Sequence, residues 1–160
     1  MEMPPEERLG FHLKRVEQEL IALKTAAIKP SGLTVPQYSA LVALAAHPGA
    51  TAAALARFGK VTPQTMATTL ANLESKGLVT RKPDPYHLNS TQVEITPEGR
   101  RALKIADRAA VTIERTLGDA FSAEERDALR DLLARCSASL QAQAREVDGA
   151  EAALKPFRLG

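Results

Sequence analysis

The chain has 160 residues, of which 44% are hydrophobic and only 4% aromatic, and its formal net charge is +2. This length fits one domain with extensions, and the composition favours helices packed through Leu, Val and Ala over an aromatic-rich β-sandwich. No apolar run approaches the roughly 20 residues of a membrane span. The acidic N-terminus, with Glu2, Glu6 and Glu7, does not resemble a secretion signal. We therefore expect a cytoplasmic protein.

The first predicted element is an amphipathic helix over residues 6–28. Its apolar residues recur in alternating steps of four and three, which places them on one helical face. They are Leu9, Leu13, Val16, Leu20, Leu23 and Ala27. Residues 29–32 read Lys-Pro-Ser-Gly and break this helix. Thr34 and Gln37 then have the spacing of a capping box, which predicts a second helix ending at residues 47–49.

Two shorter helices are predicted next. Thr51 is the expected cap of a helix over residues 52–57, and Gly59 is expected to turn the chain in a left-handed conformation. The following helix has Thr62 as its N-cap and Pro63 at its first position, where a missing amide costs nothing. Its inner face is predicted to consist of Met66, Leu70 and Leu73, and its end is marked by Lys76 and Gly77.

A strand–turn–strand follows these helices. Val79 begins the first strand, which ends with the basic pair Arg81 and Lys82, and Val93 and Ile95 alternate on the second. The tip of this hairpin, residues 83–90, is long and contains two prolines.

The chain ends in two long predicted helices. Thr96 and Pro97 open the first, and a second capping box, Ser122 to Glu125, opens the next. Both carry narrow apolar stripes, which are better explained by helices that intertwine with a second copy than by one compact domain. The stripes comprise Leu103, Ala106, Ala110, Ile113, Leu117 and Phe121, and then Leu129, Leu133, Cys136, Leu140, Ala144 and Val147. Residues 148–160 form a predicted tail or strap.

Residues 51–96 therefore have the order of a helix-turn-helix followed by a wing, which places one helix in the major groove of DNA. Between residues 57 and 82, five basic residues accompany one acid, so this segment carries a net charge of +4. The rest of the chain sums to −2. A local basic patch of this kind is typical of phosphate contact.

The same order of elements resembles the MarR family of dimeric winged helix-turn-helix transcription regulators. The most similar segments are GLTVPQYSAL at 32–41, VTPQTM at 61–66, LESKGLV at 73–79 and ITPEG at 95–99. The resemblance implies a mainly α fold with a two-stranded wing, and a homodimer held by the first, fifth and sixth helices. It also implies a pseudo-palindromic operator, repression of a neighbouring gene, and release by a small phenolic or lipophilic ligand. The expected division is a dimerisation helix at 1–31, the DNA-binding domain at 32–98, dimerisation helices at 99–147 and the tail.

Two departures from the family pattern remove cationic groups. Ala67 and Thr68 stand where the family commonly has a polar-basic pair on the recognition helix. The family's wing-tip arginine has its nearest counterpart here in Asn89.

The predicted DNA-binding residues fall into three groups. Bases would be read by outward polar side chains of the recognition helix, which suit A·T-rich sites because none is a guanine-reading arginine; these are Gln64, Thr65, Thr68 and Asn72. Phosphates would be bound at the helix N-terminus and by basic residues, namely Lys60, Thr62, Lys76, Arg81 and Lys82. His87 and Asn89, beside Tyr86, would reach the minor groove. The alternative is that all of these side chains only solvate exposed surface.

The resemblance places a ligand between the dimer helices and the DNA-binding body. The matching residues with usable chemistry are Phe11, His12, Arg15, Tyr38 and His47. Arg15 would pair with a carboxylate or phenolate, and His12 or Tyr38 would hydrogen-bond a hydroxyl. The alternative is that these residues fill or cover the core. His12, His47 and His87 are too dispersed for a metal site, and no cofactor is expected.

An enzyme is not indicated, because the chain shows no phosphate-cradling glycine-rich loop and no nucleophile–base motif. The rival function is a dimeric winged module that binds protein or ligand and has lost specific DNA binding, and the neutral recognition helix favours it. The lone Cys136 excludes an internal disulfide.

Overall fold

The computed structural model describes residues 3–83 and 91–154. The predicted mainly α fold with a two-stranded wing is confirmed. The described elements are α1 (Leu9–Ile28), α2 (Val35–Ala46), α3 (Ala52–Phe58), α4 (Pro63–Ser75), β1 (Val79–Pro83), β2 (Thr91–Ile95), α5 (Pro97–Asp119), α6 (Ala123–Gln143) and α7 (Ala150–Leu154). Short 3₁₀ turns, Pro5–Glu7 and Lys29–Ser31, flank α1.

Side-chain caps fix where the helices begin. Both predicted capping boxes are present: Thr34 Oγ1 accepts from the Gln37 amide at 3.4 Å while Gln37 Oε1 accepts from the Thr34 amide at 3.1 Å, and Ser122 and Glu125 make the same exchange. The caps at Thr51, Thr62 and Thr96 are also confirmed. Such caps typically contribute about 1 kcal/mol each.

The core lies where α2, α3, α4, the wing and α5 meet. Leucines of α2, α3 and α4 pack against one valine from each strand. They also pack against alanines of α5, whose small side chains let that helix approach closely. These fully buried residues are Leu41, Leu44, Leu55, Leu70, Leu73, Val79, Val93, Ala106 and Ala110. Gly99 shows how tight the junction is, because a Cβ there would lie 2.0 Å from the Leu78 carbonyl oxygen.

The wing is an antiparallel pair of strands in which Val79 faces Ile95 and Arg81 faces Val93. It is also tied to the segment before α3. Thr51 forms a bridge with Gln92, and the Val93 amide donates to the Ala50 carbonyl at 3.3 Å. The base of the wing is therefore held against the helix-turn-helix.

The prediction that Gly59 adopts a left-handed conformation is wrong. Gly59 has a right-handed φ of −76°, and Lys60 takes the left-handed position with φ 50°. Glycine is favoured at position 59 for a steric reason, since a Cβ there would lie 3.2 Å from both the Leu55 carbonyl oxygen and Met66 Cε. The glycine permits close packing of α3 on α4.

Some helix ends also differ from the prediction. The first helix begins at Leu9, because Pro5–Glu7 forms a separate 3₁₀ turn. The last long helix ends at Gln143, so Val147 lies beyond it, and the predicted tail contains the short helix α7.

Two of the long helices, α1 and α6, leave most of their apolar stripes uncovered by the chain itself, whereas α5 buries Ala102, Ala106 and Ala110 in the core. In α1, Leu9, Leu13, Val16 and Leu23 are exposed, and only Ile28 is buried. No residue of α6 is buried, and Leu129, Leu132, Leu133 and Leu140 are between 40% and 61% exposed. Apolar side chains that form a continuous exposed stripe along a helix mark an interaction surface.

Among the residues that the structure describes, no helix has both the length and the apolar character needed to cross a membrane.

Candidate nucleic-acid interface

Helix α4 has one buried and one exposed face. Met66, Leu70 and Leu73 are at most 3% exposed and anchor it against the body. Thr69 completes this face, and its hydroxyl donates to the Thr65 carbonyl at 2.8 Å. The opposite face is exposed and polar without charge; it carries Gln64, Thr68, Asn72 and Ser75. This arrangement leaves amide and hydroxyl groups available to base edges while the helix stays fixed.

The N-terminus of α4 is partly occupied by its own cap. Thr62 Oγ1 accepts from the Thr65 amide at 3.1 Å and lies 2.8 Å from Thr65 Oγ1. Pro63 has no amide hydrogen, and the Met66 amide already donates to the Thr62 carbonyl. Gln64 therefore supplies the first-turn amide that has no acceptor within its own helix. A phosphate at this end would meet this amide and the helix dipole.

The basic residues of strand β1 are paired with carboxylates. Arg81 Nε lies 3.0 Å from Glu74 Oε2 of α4, and Lys82 Nζ lies 2.6 Å from Glu94 Oε2 of β2. Glu94 lies outside the segment that defined the basic patch in the sequence, so charge counting missed this second pair. The local cationic surface is weaker than the count of basic residues indicated.

Lys76 faces the protein body. Its Nζ donates to the Gly32 carbonyl at 3.0 Å and to Gln37 Oε1 at 3.0 Å. Gln37 is buried and closes the capping box of α2. Lys76 thus connects the C-terminal end of α4 to the N-terminal end of α2. The sequence did not predict this role of Lys76, because Gly32 and Gln37 lie 44 and 39 residues away from it in the chain.

Lys60 is exposed in the turn between α3 and α4. The predicted wing-tip residues His87 and Asn89, with Tyr86, lie outside the described residues.

The five predicted ligand residues do not converge in the single chain. Phe11 packs edge-on against His12, and Arg15 lies 3.9 Å from Glu19 on the exposed surface of α1. His47 stacks on Phe58, with ring centroids 3.7 Å apart.

Tyr38 is the one member of this set held in a polar network between helices. Its hydroxyl donates to Asp107 Oδ1 of α5 at 2.9 Å. Burial, the hydrogen bond to Asp107 and the nearby carboxylates raise the pKa of Tyr38 to about 12. Glu114, one of those carboxylates, is itself paired with Lys24 of α1. Tyr38 is thus a neutral phenol whose hydroxyl hydrogen is already donated to Asp107.

An apolar groove of about 420 Å³ runs between α1 and α5. Leu20, Leu23, Ile113 and Leu117 form its walls. It lies on the side where the exposed stripe of α1 runs, so a second copy or an apolar molecule would bury these side chains.

In the described residues, no group of three or more His, Cys, Asp or Glu side chains has the placement to hold a metal ion.

The geometry defines a winged helix-turn-helix protein, and comparison with known proteins agrees. The model of the MarR family matches residues 31–87. An HTH-type transcriptional repressor from Mycobacterium tuberculosis is 39% identical over 99 residues, which are 62% of this chain and 71% of that protein.

Solved structures agree as well. The transcriptional repressor CouR bound to a 23-mer DNA duplex is 28% identical with a TM-score of 0.74, over 86% of this chain and 99% of that one. CouR from Rhodococcus jostii RHA1 bound to p-coumaroyl-CoA is 26% identical with a TM-score of 0.73, over 82% of this chain and 93% of that one. The chain belongs to the MarR family of transcriptional regulators.

Proposed function

We propose that this protein is a homodimeric transcriptional repressor that binds a pseudo-palindromic DNA operator and is released by a small aromatic ligand. The observation that carries the proposal is the two-faced α4. Its inner face is fixed in the core, and its outer face presents neutral hydrogen-bonding side chains.

Gln64, Thr68 and Asn72 are assigned to base reading. The amides of Gln64 and Asn72 match adenine edges, and the Thr68 methyl matches a thymine methyl. Thr65 is a weaker donor, since its hydroxyl is shared with Thr62. Because no arginine is available to guanine on this face, the preferred half-sites are A·T-rich.

Phosphate contacts position the protein without reading sequence. Lys60 and the N-terminus of α4 at Thr62 contribute from one side of the recognition helix, and Arg81 and Lys82 contribute from the wing. Lys76 would have to leave Gly32 and Gln37 to reach a phosphate. We therefore assign it first to holding α4 on α2.

A homodimer is formed through α1, α5 and α6. The support is the exposed apolar stripe of α6, which has no buried residue in the single chain. Burial of apolar surface is worth about 25 cal/mol for each Å², so a stripe of this length favours a helical partner. In this arrangement residues 1–31 and 99–147 dimerise and residues 32–98 bind DNA. CouR, a relative in the same family, has been solved with DNA bound.

The ligand is assigned to the region where α1, α2 and α5 meet. Support comes from the solved complex of CouR with p-coumaroyl-CoA, an aromatic acyl thioester, and from the apolar groove between α1 and α5. Tyr38 does not line that groove; it would offer the ligand a neutral phenol from α2, where its hydroxyl meets Asp107 of α5. Phe11, His12, Arg15 and His47 would contribute only if the partner chain or a hinge movement brings them to this region.

The function is tested by electrophoretic mobility shift with DNA flanking the protein's own gene. Saturable binding that resists excess random duplex supports a repressor. The rival function, a winged module that binds protein or ligand, is favoured by the neutral outer face of α4 and would give only competitor-sensitive binding. For the ligand, thermal-shift screening with aromatic acids and phenols is appropriate, because a ligand that binds only the folded protein raises its melting temperature.

A further inference from the structure

The two basic residues of the wing's first strand are paired with the protein's own carboxylates. Arg81 on β1 is paired with Glu74, which lies on the recognition helix itself. Lys82 on β1 is paired with Glu94 on β2. All four side chains keep between 34% and 61% of their surface exposed, so both pairs remain accessible to a large polyanion.

We propose that Glu74 and Glu94 compete with DNA phosphates for the basic groups of the wing and so lower the affinity of this protein for every duplex. The proposal rests on the proposed DNA-binding function. A carboxylate and a phosphate are acceptors for the same N–H donors. A phosphate must therefore displace or share the carboxylate, and a displaced carboxylate is left beside the negatively charged backbone.

This competition acts on the part of binding that is independent of sequence. Lysine and arginine contacts to phosphate supply most of non-specific affinity. The base-reading face of α4 is neutral, so the carboxylates do not oppose it through an ion pair. The two acids thus keep non-specific binding weak while the amide contacts of Gln64 and Asn72 retain their discrimination.

A purely structural role for these pairs makes the opposite prediction. The Glu74–Arg81 pair connects α4 to β1, so if its function were to hold the wing in place, removing the carboxylate would disorder the wing and weaken binding. Competition predicts tighter binding. The sign of the change separates the two roles.

The test uses the full-length protein with Glu74→Gln, Glu94→Gln and the double variant. Asp127→Asn is the matched control: it makes the same charge change, breaks the exposed pair with Arg130 on α6, and lies on the face of α6 opposite the apolar stripe. Fluorescence anisotropy with a labelled random-sequence duplex is measured across a range of salt concentrations. Circular dichroism melting confirms that each variant is folded.

Competition predicts about two- to fivefold tighter binding for each carboxylate removed per protomer, the range expected for an exposed ion pair. A homodimer engaging both copies would bind about four- to 25-fold more tightly. The salt dependence, log K against log salt, becomes steeper by about 0.9 for each additional phosphate that the protein neutralises. Asp127→Asn should leave the salt dependence unchanged. It should raise the affinity only by the small amount expected from one negative charge fewer on the whole protein.

Equal or weaker binding by folded Glu74→Gln and Glu94→Gln, relative to Asp127→Asn, overturns the proposal while leaving DNA binding established. Absence of duplex binding by the wild-type protein removes the proposed function, and this proposal with it. A cycle with Arg81→Ala gives a second check: competition for Arg81 predicts that Glu74→Gln tightens binding less in the Arg81→Ala background than in the wild type. An equal gain in both backgrounds contradicts competition at this pair.

Discussion

The proposed base-reading role of Gln64 gives the most specific prediction for the interface. Gln64 lies in the first turn of α4 on its exposed face. Replacing it by alanine leaves no cavity and keeps a good helix former. Folding stability should therefore change by less than about 0.5 kcal/mol, and any effect on DNA binding can be assigned to the lost amide.

The size of the effect follows from the number of copies of this residue at the interface. A bidentate amide–adenine pair contributes about 1–3 kcal/mol of discrimination. A homodimer has two copies of Gln64, so even the lower value gives about 2 kcal/mol in total, or about a 30-fold loss on the preferred operator. Random duplex, which is bound through phosphates, should lose little affinity.

The assay is a pair of titrations, one with the preferred duplex and one with a shuffled duplex of the same length and salt concentration. Gln18→Ala, an exposed glutamine on the side of α1 away from its apolar stripe, is the control and should match the wild type. An equal loss of affinity for both duplexes in Gln64→Ala would refute base reading by this residue.

Further predictions concern the wing, the dimer, the core and the phenol. Arg81→Ala should weaken binding to operator and random duplex by about the same factor in anisotropy titrations, and a selective loss on operator would contradict a phosphate role. Leu133→Glu should shift the protein to monomer in analytical ultracentrifugation, because it places a charge on the uncovered stripe of α6; an unchanged dimer would exclude this face. Gly99→Ala should lower the melting temperature by several degrees, since its Cβ would overlap the Leu78 carbonyl, and an unchanged value would contradict the tight junction. The raised pKa of Tyr38, about 12, favours the neutral phenol in the folded state, so this stabilisation is complete below pH 10 and is lost as the pH rises through 12. Tyr38→Phe should abolish the loss of unfolding free energy between pH 10 and 12, as measured by urea unfolding. An alkaline profile identical to that of the wild type would contradict the raised pKa of Tyr38.

The parts of the fold that depend on neighbours in sequence were predictable. The capping box of Thr34 and Gln37 and the N-cap at Thr62 depend on groups three residues apart, and the structure places them as predicted. The inner face of α4 followed from helical periodicity in the same way. These features obey short-range rules that a single sequence displays.

The parts that depend on distant residues were not predictable. Gly59 is required by its approach to Met66 on the next helix, a contact that no local rule contains. Lys76 is held by Gly32 and Gln37, and Glu94 neutralises Lys82 only because the wing pairs in this register. Side-chain partners of surface charges are set by tertiary packing, so charge counts overstated the cationic surface.

The candidate ligand residues were harder still. Their positions came from a resemblance. In the single chain Phe11 and His12 contact each other on α1, whereas His47 stacks on Phe58. Tyr38 reaches a different neighbour, because α2 packs on α5 and brings its hydroxyl to Asp107. A contact between two chains, such as the proposed homodimer would make, cannot be predicted from the periodicity of a single chain.

The most direct measurement of the central claim is recovery of fragmented genomic DNA on the purified full-length protein, followed by sequencing. If α4 is presented twice by a homodimer, the enriched fragments should share two inverted half-sites with centres about 10–10.5 base pairs, or a multiple of that spacing, apart. Recovery of fragments with no shared sequence, or of a single unpaired half-site, would contradict the account.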